Sequence, residues 1–103
     1  MDASDLPTIT DGWPRIGGRR GDWVIFEGAD FTGVTYVELR FAGGVTQTIT
    51  GTDVIVIDPR HLRVKLPTNS PVGLSQVRLR KRVGSTYIWS QQYFGYFVLS
   101  RKP

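Results

Sequence analysis

The most regularly spaced chemical groups in the chain are Arg78, Arg80 and Arg82, in the run Gln76 to Val83 (QVRLRKRV). They alternate with Val77 and Leu79, the period of a half-buried strand. On such a strand the three guanidinium groups point the same way, at intervals of roughly 6.5–7 Å. A guanidinium is planar and permanently charged, so a row of them suits carboxylates or phosphates through two-pronged hydrogen bonds. The bland reading of the same row is a solvated face that keeps a sheet from aggregating.

Other groups carry weaker signals. Tyr87, Trp89, Tyr93, Phe94, Tyr96 and Phe97 cluster near the end of the chain. Core and edge packing is the expected role for most of them, because large aromatics dominate sandwich cores; Tyr87 and Trp89 also suit a sugar-binding or stacking surface. Trp23 and Ile25 face outward if Val24 and Phe26 face inward, and a Trp left outside is typical of an interface anchor. Cover by the N-terminal segment or by the stretch Gly43 to Ile57 is the alternative for that face.

Catalysis finds little support. His61 is the only histidine, with no cluster of cysteine or carboxylate around it in sequence, so no metal site is expected. Asp58 is close by but belongs to a turn with Pro59. The 9 carboxylates are scattered, with no pair placed for acid–base work. The glycine-rich loop Gly17 to Gly21 precedes a strand rather than a helix, so it is no ordinary phosphate cradle. The expectation is no catalytic residue, no cofactor and no enzyme.

These side chains need elements to hold them, and the chain reads as a succession of short strands. Gly21 to Phe41 gives strand, turn, strand: about Asp22 to Glu27, then Gly28 to Gly33, then about Val34 to Phe41. Val24 and Phe26 share one face, and Trp23, Ile25 and Glu27 the other. Val37, Leu39 and Phe41 point one way, and Tyr36, Glu38 and Arg40 the other. Thr8 to Thr10 is a first strand at a sheet edge, flanked by Pro7 and Pro14. Gly17 to Gly21 is expected as a turn. Val45 to Thr50 and Asp53 to Ile57 are two short strands. In His61 to Leu66, Leu62, Val64 and Leu66 point in while Arg63 and Lys65 point out. Thr86 to Ser90 and Tyr93 to Leu99 form a last strand or a bent pair. No helix with a 3.6-residue apolar stripe is expected.

Composition bounds the answer to one all-β domain. The 103 residues are 40% hydrophobic and 12% aromatic, with 12 Gly and 6 Pro placed between the β-rich runs. There is no cysteine, hence no disulfide or thiolate chemistry. No apolar run approaches a membrane span, and the start Met1 to Asp5 has neither the basic nor the apolar part of a signal peptide. The net charge of +4 favours acidic partners.

Taken in order, several short motifs resemble the IPT/TIG domain family, an immunoglobulin-like β-sandwich. They are Pro7-Thr8-Ile9-Thr10, Gly17-Gly18, Val24-x-Phe26-x-Gly28-x-x-Phe31 and Val34-Thr35-x-Val37-x-Leu39. Then come Leu62-x-Val64-x-Leu66-Pro67, Gly73 ahead of Val77-x-Leu79, and Phe94-x-Tyr96. The resemblance spans roughly residues 7–99, with 1–6 as a lead-in and 100–103 as a tail. It departs from the family pattern at Gly43 to Ile57, longer than the usual connection.

The resemblance implies that Gly28 and Gly33 permit a tight crossing, and that Phe31 plugs one end of the sandwich. It implies that the arginine strand lies beside the third and last strands, so that Tyr36 and Arg40 share its surface, and that Arg63 and Lys65 join Trp23 and Ile25 on the opposite sheet. Members of this family are interaction modules in surface proteins, receptors, transcription factors and phage structural proteins. The expected function is a non-enzymatic binding module, in the first place a phage virion component (head decoration or tail-associated protein) docked on other structural proteins and able to self-associate there. A carbohydrate- or cell-surface-binding module from a larger protein is the alternative. A nucleic-acid binder comes third.

Overall fold

A computed structural model describes residues 6–90 and 93–100. The expected lead-in residues 1–5 and tail residues 101–103 lie outside the described residues. Among the described residues ten strands form two sheets. These are β1 (Thr8–Trp13), β2 (Gly18–Arg19), β3 (Trp23–Ala29), β4 (Val34–Phe41), β5 (Thr46–Thr50), β6 (Val54–Asp58), β7 (His61–Lys65), β8 (Gly73–Val83), β9 (Thr86–Trp89) and β10 (Phe94–Leu99). The four-stranded sheet has the order β1-β3-β7-β6. The six-stranded sheet has the order β2-β10-β8-β4-β5, with β9 also paired to β8.

The period-two patterns of the sequence become the two sides of this sandwich. Val24, Phe26, Leu62 and Val64 face inward from the four-stranded sheet, and Val37, Leu39, Val77, Leu79, Tyr96 and Val98 from the other. Phe26 packs edge-on against Tyr96, ring centroids 5.2 Å apart, and against Phe94 at 6.1 Å. Tyr96 keeps its polar tip satisfied by donating to the Pro14 carbonyl at 2.7 Å, and burial pushes its hydroxyl up to about 12.

Phe31 is fully buried, as the plug reading requires. The expected turn from Gly28 is corrected: Gly28 lies within β3, paired with Ile9 of β1, where a Cβ would lie 1.8 Å from the Thr8 carbonyl oxygen and 2.9 Å from the Phe31 ring. Gly33 has φ +88°, a conformation only glycine adopts freely, and accepts from the Arg82 amide at 3.0 Å.

Three further expectations are corrected. The first strand runs on to Trp13, its outer edge open as expected. Gly18 and Arg19 are not a turn; they form β2, parallel to Val98 and Leu99 of β10. A Cβ on Gly18 would sit 2.3 Å from Val24 and 2.8 Å from Leu66, so this glycine lets the backbone close on the core. The long stretch Gly43 to Ile57 covers nothing. Its strand β5 widens one sheet beside β4; the chain turns at Gly51–Asp53, and β6 then widens the other sheet beside β7.

Candidate binding surface

β8 is the spine of the six-stranded sheet. Its outward residues are Leu74, Gln76, Arg78, Arg80 and Arg82, because Ser75, Val77, Leu79 and Lys81 are buried. β4 pairs along one side and places Tyr36 opposite Arg80, Glu38 opposite Arg78, and Arg40 opposite Gln76. On the other side β9 sets Trp89 opposite Arg80 and Tyr87 opposite Arg82, while β10 pairs with the N-terminal half. The last segment is thus a bent pair. The expected neighbours of the arginine strand are the observed ones, and Tyr36 and Arg40 share its surface.

The arginines interleave with aromatic rings. The Arg78 guanidinium carbon lies 3.6 Å from the Trp89 ring centroid and 5.3 Å from that of Tyr93. Arg80 is flanked by Tyr36 at 4.0 Å and Tyr87 at 4.3 Å, with Trp89 at 5.6 Å. Tyr36 meets Trp89 edge-on at 5.6 Å, and Arg40 approaches Tyr93 at 5.3 Å. All lie within the range where a ring's negative face attracts a cation. This is not a freely solvated fringe: the Nε atoms of both Arg78 and Arg80 are buried without a hydrogen-bond acceptor. Phe94 and Tyr96 went to the core, whereas Tyr87 and Trp89 took the edge strand β9, their rings on the outer face. One face of Trp89 is occupied by Arg78, so a stacking sugar has to displace that contact.

Charge on this face is unevenly compensated. Glu38 points outward as expected, yet it is buried beneath its neighbours, with Oε1 3.1 Å from Arg78 Nη2 and 3.8 Å from Arg40 Nη2. Arg82 donates from Nε to the Gly84 carbonyl at 2.9 Å. Among the described residues no carboxylate is within ion-pair range of Arg80. Arg80 is therefore a fixed, ring-clamped and uncompensated cation.

Lys81 went unread. It is buried on the inward side of β8, where its ammonium donates to the Asp30 carbonyl at 3.4 Å. The signal was in the sequence, since Lys81 continues the inward phase of Val77 and Leu79. At the far end of the same face Leu74 and Phe97 are exposed, beside a depression of about 250 Å³ lined by Arg40, Phe41, Ala42, Leu74 and Gln76.

The outer face of the four-stranded sheet is more sparsely knit. Register puts Trp23 opposite Lys65 and Ile25 opposite Arg63, so the four expected residues do share one face. Trp23 is 36% exposed and carries Arg63 at 4.4 Å; Trp13, opposite Ile25, carries Arg15 at 4.2 Å. The isolated histidine is corrected here. His61 lies opposite Glu27 and joins it through Nε2 at 3.2 Å, and Nδ1 meets Asp58 at 2.9 Å. The Asp58 hydrogen bond holds the imidazole above its ordinary range, and the same bond holds Asp58 below the usual carboxylate range. Among the described residues no group of His, Cys, Asp and Glu could hold a metal ion. No helix among the described residues is long and apolar enough to cross a membrane.

No protein-family model matches the chain, and no curated protein matches it. Solved structures do. One neighbour is described as a "Putative bacterial DNA binding protein" from Bacteroides vulgatus, with TM-score 0.74 and 16% identity over 91% of this chain. The chain spans 47% of that protein's length, about half. Another is PcoC, a methionine-rich copper resistance protein from Escherichia coli, with TM-score 0.52 and 11% identity, covering 91% of this chain and 99% of that one. At such identities the likeness is one of fold: the chain is an all-β sandwich.

Proposed function

We propose that the chain is a non-enzymatic binding module of the IPT/TIG type, which docks onto a larger protein assembly through the outer face of its six-stranded sheet. The observation that carries this reading is Arg80, held by Tyr36, Tyr87 and Trp89 and, among the described residues, left without a carboxylate. Tyr, Trp and Arg are the side chains that dominate binding energy at protein interfaces, because they bury large area at low entropic cost. The phage head or tail expected from the sequence is the assembly to test first.

A photo-crosslinking residue at Tyr87, compared with one at Ile55 on the opposite sheet, tests the surface. In the native cell the Tyr87 position is expected to give adducts with a subunit of a multi-protein particle, and the chain to co-sediment with that particle. Adducts from Ile55 alone overturn the reading.

Nucleic acid is the second reading. It is favoured by the alternation of rings and arginines, which resembles surfaces where bases stack and phosphates pair, and by the fold shared with the Bacteroides protein. Adducts with DNA or RNA from Tyr87, and an affinity falling steeply with salt, would establish it instead.

A further inference from the structure

Resting on that choice of surface, we infer that the partner segment is an extended acidic stretch of protein. It lies along β8 with one carboxylate on Arg80 and one apolar side chain against Leu74 and Phe97. The charge distribution selects this occupant. A nucleic-acid backbone brings a phosphate at every step and needs a run of free cations. Here the run is interrupted: Glu38 already neutralises Arg78 and approaches Arg40, so a phosphate there meets a carboxylate. Among the described residues Arg80 is held by rings with no acceptor of its own, while Arg82, the other member of the row without a carboxylate, gives its Nε to the Gly84 carbonyl. The face therefore asks for a single anionic group at a defined place, which an Asp or Glu side chain supplies.

The second anchor fixes the spacing. Leu74 and Phe97 are about half exposed, at 49% and 52%, and face each other across β8 and β10. Leu74 also lines the depression beside Arg40 and Gln76. Leu74 and Arg80 are on the same side of β8, six residues apart, which is about 20 Å along an extended strand. A partner lying over the outer face along β8 in extended form thus presents an apolar residue and an acidic residue six positions apart. The stacked guanidinium of Arg80 has lost much of its freedom before contact, so little entropy is left to lose on binding.

The test is an NMR titration of the isotope-labelled full chain with two probes. One is a short synthetic Ser/Thr-rich peptide carrying Phe and Glu six positions apart; the other is an oligothymidylate of similar length. The peptide is expected to move the Leu74 and Phe97 amides together with the side-chain signals of Arg80 and Trp89. Changing the peptide's Glu to Gln, or Arg80→Gln in the protein, is expected to weaken binding about tenfold, as loss of an interface anchor does. Arg60→Gln, an equal loss of charge in the β6–β7 turn, is expected to leave the affinity unchanged. Peptide binding indifferent to Arg80→Gln overturns the inference. Tighter binding of oligothymidylate on the same face overturns the partner's chemistry while the surface stands. A face that neither probe perturbs removes the surface reading as well.

Discussion

The two outer faces are built from the same residue types yet differ in kind. On the four-stranded side the arginine–ring contacts are single pairs: Arg63 on Trp23, and Arg15, just past β1, on Trp13 with an exposed ion pair to Asp11 at 3.1 Å. On the six-stranded sheet Arg78 meets two rings and a carboxylate, and Arg80 meets three rings. An exposed arginine–ring pair gains about 0.5–1 kcal/mol, comparable to the entropy of holding the long side chain still. A shared network spreads that entropic cost over several contacts. Side chains become a presented surface when the strands on both sides of them supply rings and charges together, as β4 and β9 do for Arg78 and Arg80 of β8.

The comparison breaks most visibly from below. Leu79 is fully buried on β8 between Arg78 and Arg80 in sequence. Leu79→Ala is expected to cost about 2–5 kcal/mol in chemical denaturation. It should also scatter the Arg80 side-chain signals, whereas Val64→Ala under the other face should leave them in place. Next in size is Glu38→Gln, which leaves Arg78 without its part-buried carboxylate. A loss of about 1–3 kcal/mol is expected, and a double-mutant cycle with Arg78 should recover most of it.

The aromatic contacts sharpen the contrast directly. Trp89→Ala cycled against Arg78→Ala should give a coupling of about 1 kcal/mol, against about 0.5 kcal/mol or less for Trp23 with Arg63. Equal couplings would erase the distinction between the faces.

The smallest effect is the pH response of the His61 contact. His61 is held above its ordinary 6.5, so its contribution to stability is complete below that value and fades as pH rises through the raised one. Asp58 is held below 3.8, so its contribution is present above that value and fades as pH falls through the lowered one. Denaturation midpoints should therefore carry a small bonus in mildly acidic solution that His61→Ala removes; a midpoint difference unchanged by that substitution would show the contact to be idle.

Much of this architecture was legible beforehand, and for a definite reason. Alternation reports which side of a strand each residue takes, and burial enforces it. Val24, Phe26, Val37, Leu39, Val64 and Leu79 therefore met in the interior, and Arg78, Arg80 and Trp23 were left outside. The close backbone approach at Gly28 and the burial of Phe31 were implied by the family resemblance and not by alternation. Which ring meets which arginine did not follow, because a period of two says nothing about neighbours on other strands.

Glu38 meets Arg78 across 40 residues, and His61 meets Glu27 across 34. Those meetings depend on register between strands, and register is set by the packing of the whole sandwich. The amino-acid order determined the two-sided strands and the outward arginines. Tertiary structure alone decided that Arg78 is compensated and Arg80 is not, because compensation depends on residues that only the closed sheet brings within reach.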